Sequence, residues 1–245
     1  MTFGYGANGC LGHGDARDRW LPTAVGTLQG CVALQISAGA SHSMVLLDDA
    51  RVMTFGLGKH GLLGHGDENT RILPAVVDAL RAKQVLQVSA GGLHSMVLLA
   101  DGGVMTFGHG ALGSLGHGDG HSRWLPTIVG ALGGREALQI SAGTSHSAVM
   151  LAGGEVLTFG YGRNMRLGHG NCDNQFLPRA IDSLWGTRVV EVLASRAQTV
   201  VLTEAGQLVV FHAMDPTDDW VDGGGELGWE EIMLRPPGGG ARDVD

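Results

Sequence analysis

Lysine is almost missing from this sequence: Lys59 and Lys83 are the only two, and 16 lysines and arginines face 24 acids, for a formal net charge of −8. Neutralising a phosphate backbone takes clustered cations, so general nucleic-acid binding is not expected. Cysteine occurs only as Cys10, Cys31 and Cys172, with no CxxC pair. That usage excludes a disulfide framework and a thiolate zinc site, and reduced thiols suit the cytoplasm or nucleus. No apolar run approaches the roughly eighteen residues of a membrane helix, and the first residues lack a basic segment followed by a hydrophobic stretch. Neither membrane insertion nor secretion is therefore expected. Apolar residues at helical i, i+3, i+4 spacing are absent too, which argues against helical repeats.

Glycine is abundant, with 42 in 245 residues, while 44% of the chain is hydrophobic. Without a Gly-X-Y period, that combination means many tight turns between short apolar strands. The turns are periodic. TFG begins at Thr2, Thr54, Thr106 and Thr158, and LGHG at Leu11, Leu63, Leu115 and Leu167, each copy 52 residues after the last. SAG at Ser37, Ser89 and Ser141 and the pairs Leu21-Pro22, Leu73-Pro74, Leu125-Pro126 and Leu177-Pro178 keep the same interval.

A period near 50 containing only strand-like segments indicates propeller blades. In the first complete unit the four expected strands are Leu21–Val25, Ala33–Ala38, His42–Leu47 and Val52–Phe55, with Thr2–Tyr5 left as an orphan strand. In the second strand Leu34 and Ile36 recur as Leu86 and Val88, Leu138 and Ile140, then Val190 and Val192, so one face is expected to be apolar. The third, Ser43–Leu47 and its copies, is continuously apolar, as for a strand covered on both faces. The units run near 1–52, 53–104, 105–156 and 157–212. The last decays, with Ser195 in the glycine place of SAG, Gln198 in the histidine place, and Val210, Phe211 and His212 replacing TFG. Ala213–Asp245 carries nine acids against Arg235 and Arg242 and is expected to be a disordered tail or linker.

The order AGxSHSxxL, a glycine turn, an apolar stretch ending in FG, then LGHGD and a Leu-Pro pair resembles the repeat of the regulator of chromosome condensation family. Ala38-Gly39, His42-Ser43, Leu46, Phe55-Gly56, Gly58, Gly61, Leu63-Gly64 and Gly66-Asp67 are the clearest instance. The resemblance covers residues 1 to about 212. The expected architecture is all-β: a β-propeller of four-stranded blades, with about four blades of the family's seven and an open ring. Met1 stands at the repeat position of Met53, inside a strand, so a partial chain is expected.

The repeated polar residues are expected to be scaffold. His13, His65, His117 and His169 of LGHGD are too far apart around a ring for a metal, and are expected to hydrogen-bond loop backbone. His42, His94 and His146 stand beside Ser43, Ser95 and Ser147 in strands, where neighbours point to opposite faces, so no Ser-His catalytic pair is expected. Gly39, Gly91 and Gly143 are the matching turn glycines. Asp15, Asp67 and Asp119 each precede Arg19, Arg71 and Arg123 by four residues, and both charges vanish together at Asn171 and Gln175. This pattern is expected to pin the loop before the Leu-Pro strand through a charge-assisted contact; an arginine ladder for an acidic partner is the alternative. Trp20 and Trp124 share a packing position with Ile72 and Phe176. The GWRHT-type motif used by light-sensing members of the family is absent.

Specificity is expected in positions that vary within the constant frame, chiefly Lys59, His60, His109, Arg163 and Arg166. No catalytic group, cofactor or metal is expected. The family resemblance implies a non-enzymatic protein-binding propeller, a module of a larger protein such as a HECT-type ubiquitin ligase, with a ubiquitin-pathway component as partner. The alternative it implies is guanine-nucleotide exchange on a Ran-like small GTPase, although the unbroken spacing leaves no room for the wedge-like hairpin that exchange uses. Open blade edges are expected to favour self-association.

Overall fold

Glycine and polar turns cut the apolar runs into strands of three to six residues, joined by loops and single turns of 3₁₀ helix. The computed structural model describes residues 1–212 and the backbone of Glu230–Met233. It begins with β1 (Thr2–Gly4) and β2 (Arg19–Thr23), which pair as a two-stranded half-blade. Four antiparallel four-stranded blades follow. Blade I is β3 (Ala33–Ala38), β4 (His42–Leu47), β5 (Val52–Gly56) and β6 (Arg71–Val76); blade II is β7 (Val85–Ala90), β8 (His94–Leu99), β9 (Val104–Gly108) and β10 (Arg123–Ile128). Blade III is β11 (Ala137–Ala142), β12 (His146–Leu151), β13 (Val156–Gly160) and β14 (Gln175–Ala180). Blade IV is β15 (Val189–Ala194), β16 (Thr199–Thr203), β17 (Gln207–Phe211) and β18 (Glu230–Met233). The blades form an open propeller, and the ring is not closed.

This topology corrects the grouping of strands. The Leu-Pro strand pairs with the TFG strand before it, as in Met53 opposite Val76, and so closes one blade rather than opening the next. Thr2–Gly4 is for the same reason not an orphan, since Thr2 lies opposite Thr23. The expected tail also contains a strand: Glu230–Met233 pairs with β17, Gln207 opposite Met233. The remainder of the tail, 213–229 and 234–245, lies outside the described residues.

The second strand of blades I to III is buried on both faces, whereas in β16 of blade IV Val200 and Leu202 are only half-buried. Met44 and Leu46 of β4 pack with Val88, Val97 and Phe107 of blade II, while Val45 and Leu47 pack with Phe55 and Leu28 on the other side. Equivalent clusters join blade II to III through Met96, Ile140 and Phe159, and III to IV through Ala148, Val192 and Phe211. The loop glycine of LGHG admits this packing, because a Cβ on Gly64 would lie 2.8 Å from the Phe107 ring.

The first strand of each blade departs from simple alternation. Val85 is opposite Leu99 and Gln87 opposite Leu98, so two residues of β7 answer one of β8, and a bulge leaves Leu86 as the extra residue. Leu34, Leu86, Leu138 and Val190 consequently face solvent, correcting the expected apolar face, whereas Val88, Ile140 and Val192 are buried.

Candidate interaction face and the contacts that hold it

Alternating strand direction puts the 39–41 and 91–93 turns on the same side of the propeller as the long loops that carry LGHGD. Leu57 N–H donates to Ser41 O at 2.9 Å, and His109 N–H to Leu93 O at 2.8 Å. Lys59, His60, His109 and Arg163 all lie on this side. The His60 and His109 rings, from successive blades, stand 4.5 Å apart at 46°. His60 holds a left-handed backbone at φ 61, uncommon for a side-chain-bearing residue, and its N–H donates to Glu68 Oε1 at 2.9 Å. Lys59 and Arg163 are exposed, and partial burial, with His60 and Lys59 close by, lowers the pKa of His109.

Arg166 turns away from this group. It is 6% exposed; its Nε donates to Arg163 O at 2.7 Å, its Nη1 to Arg196 O at 2.9 Å, and its guanidinium lies 5.0 Å over the Tyr161 ring. Its expected place in a partner-binding loop is thus corrected: the cation is spent on tying the β13–β14 loop of blade III to the β15–β16 turn of blade IV.

The structure brings each Asp–Arg pair together. Arg71 Nη1 and Nη2 donate to the two carboxylate oxygens of Asp67, both at 2.9 Å, while Asp67 Oδ1 also accepts the Asn69 N–H. Arg19 meets Asp15 at 2.9 Å and Arg123 meets Asp119 at 2.8 Å. The arginine hydrogen bonds hold the carboxyls of Asp67 and Asp119 well below the usual carboxylate range. In the fourth unit Asn171 keeps only the backbone bond, to Asp173 N–H at 3.0 Å.

The LGHGD histidines bond a side chain rather than the expected loop backbone. Nε2 of His13, His65, His117 and His169 lies 2.9–3.0 Å from the hydroxyls of Thr2, Thr54, Thr106 and Thr158, which donate to the carbonyls of Leu11, Leu63, Leu115 and Leu167. Because each hydroxyl proton is committed to a carbonyl, the imidazole must donate from Nε2. Among the described residues no cluster of histidines, cysteines and acids is arranged to hold a metal.

The second histidine series sews blade to blade. His42 Nε2 is 2.8 Å from Ser95 Oγ, His94 Nε2 2.8 Å from Ser147 Oγ, and His146 Nε2 3.0 Å from Thr199 Oγ1. Ser95 and Ser147 donate to Leu62 O and Ser114 O, so His42 and His94 are neutral donors. Burial pushes His94 down to about 4 and His42 to about 3, with His94 adding to the shift of His42; burial, then Arg166 and His94, take His146 to about 3. Alongside run contacts that the sequence reading had not assigned. Val88, Ile140 and Val192 N–H donate to the side-chain carbonyls of Gln35, Gln87 and Gln139 at 2.8–2.9 Å, and Ala90, Ala142 and Ala194 N–H to Ser37, Ser89 and Ser141 Oγ at 2.8–3.0 Å. The signal was a glutamine and a serine recurring inside otherwise apolar strands. Gly39, Gly91 and Gly143 mark the closest approach: a Cβ on Gly91 would lie 2.5 Å from Gly143 O.

Comparison with known proteins agrees with this architecture. The chain is 31% identical over 217 residues to the human E3 ubiquitin-protein ligase HERC2, covering 88% of this chain and 4% of that protein. It is 28% identical over 207 residues to the Arabidopsis thaliana ultraviolet-B receptor UVR8, covering 84% of this chain and 47% of the receptor. It therefore spans at most about half of these relatives. Among solved structures, yeast RCC1 (Prp20) bound to Kap60 superposes with a TM-score of 0.71 at 18% identity, over 82% of this chain and 48% of that one. A further Prp20p structure from Saccharomyces cerevisiae, described with its binding properties to Gsp1p and histones, gives 0.63 at 19% identity, over 76% and 45%. The model of the regulator of chromosome condensation (RCC1) repeat matches residues 2–46, 49–98, 101–150 and 153–202, and with four matches across most of its length the chain belongs to the RCC1-repeat family.

Proposed function

We propose that this propeller is a non-enzymatic module for binding another protein, and that it does so with the side bearing Lys59, His60, His109 and Arg163. The observation that carries this reading is the separation of labour among the polar residues. The constant histidines, glutamines, serines, aspartates and arginines are each engaged inside the frame, whereas these four vary between repeats and group on one side. Loops on a rigid scaffold are where recognition is built. The relatives support a module reading, because in HERC2 the matching segment is 4% of a named ubiquitin ligase. A ubiquitin-pathway component in the cytoplasm or nucleus is the partner this reading favours.

The two lysines make a test convenient, since Lys59 lies on the loop side and Lys83 in the blade-to-blade link on the opposite side. Lysine-directed cross-linking of the full chain with a captured partner should mark Lys59, and Lys59→Glu with Arg163→Glu should reduce capture while leaving the circular dichroism unchanged. Cross-links at Lys83 alone, or undiminished capture, would refute it. Exchange on a Ran-like small GTPase is the alternative, and the full chain accelerating nucleotide release from such a GTPase would favour it instead.

A further inference from the structure

Three separate positions of the repeat carry arginine together in the fourth unit. Arg163 stands where the earlier units have Ala7, Lys59 and Ala111, Arg166 where they have Cys10, Leu62 and Ser114, and Arg196 where they have Ala40, Gly92 and Thr144. The fold gathers them. Arg166, in the β13–β14 loop, donates to the carbonyls of Arg163 in its own loop and of Arg196 in the β15–β16 turn. Arg163 and Arg196 are exposed because of the positions they hold, since Lys59, Ala111 and Thr144 are exposed as well with the following blade packed beside them.

No ion pair among the described residues includes any of the three, whereas every other described arginine except Arg17 meets an aspartate or glutamate. The same loop has lost an acid, with Asn171 in the aspartate place of LGHGD, so that Asp173 is the one carboxylate in its sequence. Arg166 is buried, yet carbonyls engage only its Nε and Nη1, and Nη2 donates to nothing among the described residues. Burial lowers its pKa, Arg163 adds to the shift, Tyr161 opposes it, and no carboxylate takes part. A cation withdrawn from water in this way is costly without a counter-charge.

We infer that Arg163, Arg166 and Arg196 form a receptor for a phosphorylated serine or threonine of a partner protein, with Nη2 of Arg166 as its fixed donor and the two exposed arginines closing on the phosphate. Phosphate fits better than carboxylate because a charge of about −2 and three strongly accepting oxygens match several guanidinium groups at one spot, whereas one guanidinium satisfies a carboxylate. A nucleic-acid backbone fits less well, since it needs a row of cations and this chain carries a formal net charge of −8. The inference rests on the loop-side reading and names the chemistry recognised where blade III meets blade IV.

The test probes an array of random-sequence peptides bearing a central phosphoserine, and the same array with serine or glutamate at that place, with the full chain. The phosphoserine peptides should retain at least about tenfold more chain than either control, with phenyl phosphate competing. Arg163→Ala with Arg196→Thr, which install the residues of positions 111 and 144, should abolish the difference without changing the circular dichroism or Tm, and Lys59→Glu, two blades away, should leave it intact. Equal retention of phosphoserine and glutamate peptides, full retention by the double variant, or tighter binding of a single-stranded oligonucleotide than of any phosphopeptide overturns the proposal. Absence of selective retention while Lys59→Glu with Arg163→Glu still reduces capture of the partner overturns the phosphate assignment alone and leaves the loop-side reading standing.

Discussion

Lowering the pH from 7.5 to 5 should open the seams between blades before it disturbs the surface ion pairs. His42, His94 and His146 are buried, His42 and His94 donate from Nε2, and no acceptor meets Nδ1 of His42, where a second proton would go. Their folded pKa values of about 3, 4 and 3 lie below the value near 6.5 of an unfolded histidine, so the unfolded chain binds more protons and stability falls as the pH drops below about 6.5. At pH 5 each such group costs about 2 kcal/mol, or about 6 kcal/mol for the three, against a total stability of order 5–15 kcal/mol for a domain. Half-buried His65, His117 and His169 are shifted the same way by burial. The carboxyls of Asp67 and Asp119 are shifted down, so what they contribute is present above their unfolded values and disappears only below about pH 4. The window between pH 6.5 and 4.5 therefore belongs to the imidazoles. Urea unfolding at pH 7.5, 6 and 5 measures the effect. His94→Gln, which installs the residue found at position 198, should lose about 1–2 kcal/mol at pH 7.5 with its seam bond. It should also be less sensitive to acid than the parent by about 2 kcal/mol at pH 5. A parent whose stability is flat across this range, or a variant with the parent's full pH dependence, would refute the reasoning.

Two further outcomes test the frame by thermal and chemical unfolding. Arg71→Ala and Asp67→Ala should each destabilise slightly, and the double variant should fall short of their sum by about 0.5–1 kcal/mol, a figure kept small because both side chains are partly in water; strict additivity would mean the pair does not pin its loop. Gly91→Ala should cost about 2–4 kcal/mol because the new methyl meets Gly143 O and the His94 ring, whereas Gly153→Ala, with nothing within 4 Å, should stay within about 0.5 kcal/mol. Similar losses at the two glycines would show that the close approach between blades is unimportant.

Much of the scaffold was legible because the repeat is rigid in length. Strand existence, the doubly buried runs of β4, β8 and β12, and the meeting of Asp67 with Arg71 followed from residue pattern and a four-residue spacing. The candidate face was legible only in part. Lys59, His60, His109 and Arg163 stood out as variation against a constant frame, but the same signal included Arg166, which the fold turns inward. A long cation reads identically whether it faces water or caps two carbonyls. The LGHGD histidines were likewise assignable to structure but not to their partner, since the threonine hydroxyl that meets each ring lies eleven residues earlier, in a different element.

By itself the sequence determined the period, the strand-and-turn alphabet and the all-β class, because these rest on local turn chemistry and the alternation of apolar residues. The tertiary structure alone decided the phase of the repeat. A 52-residue period looks the same from any starting point, and only hydrogen bonding shows that the Leu-Pro strand folds back across the long LGHGD loop while the shorter link crosses to the next blade. It also decided the bulge that turns Leu86 to solvent, which costs one residue of register and leaves composition untouched. Finally it gave the seams their direction, since a glutamine carbonyl in one blade and a backbone N–H in the next become partners only when the strands are stacked.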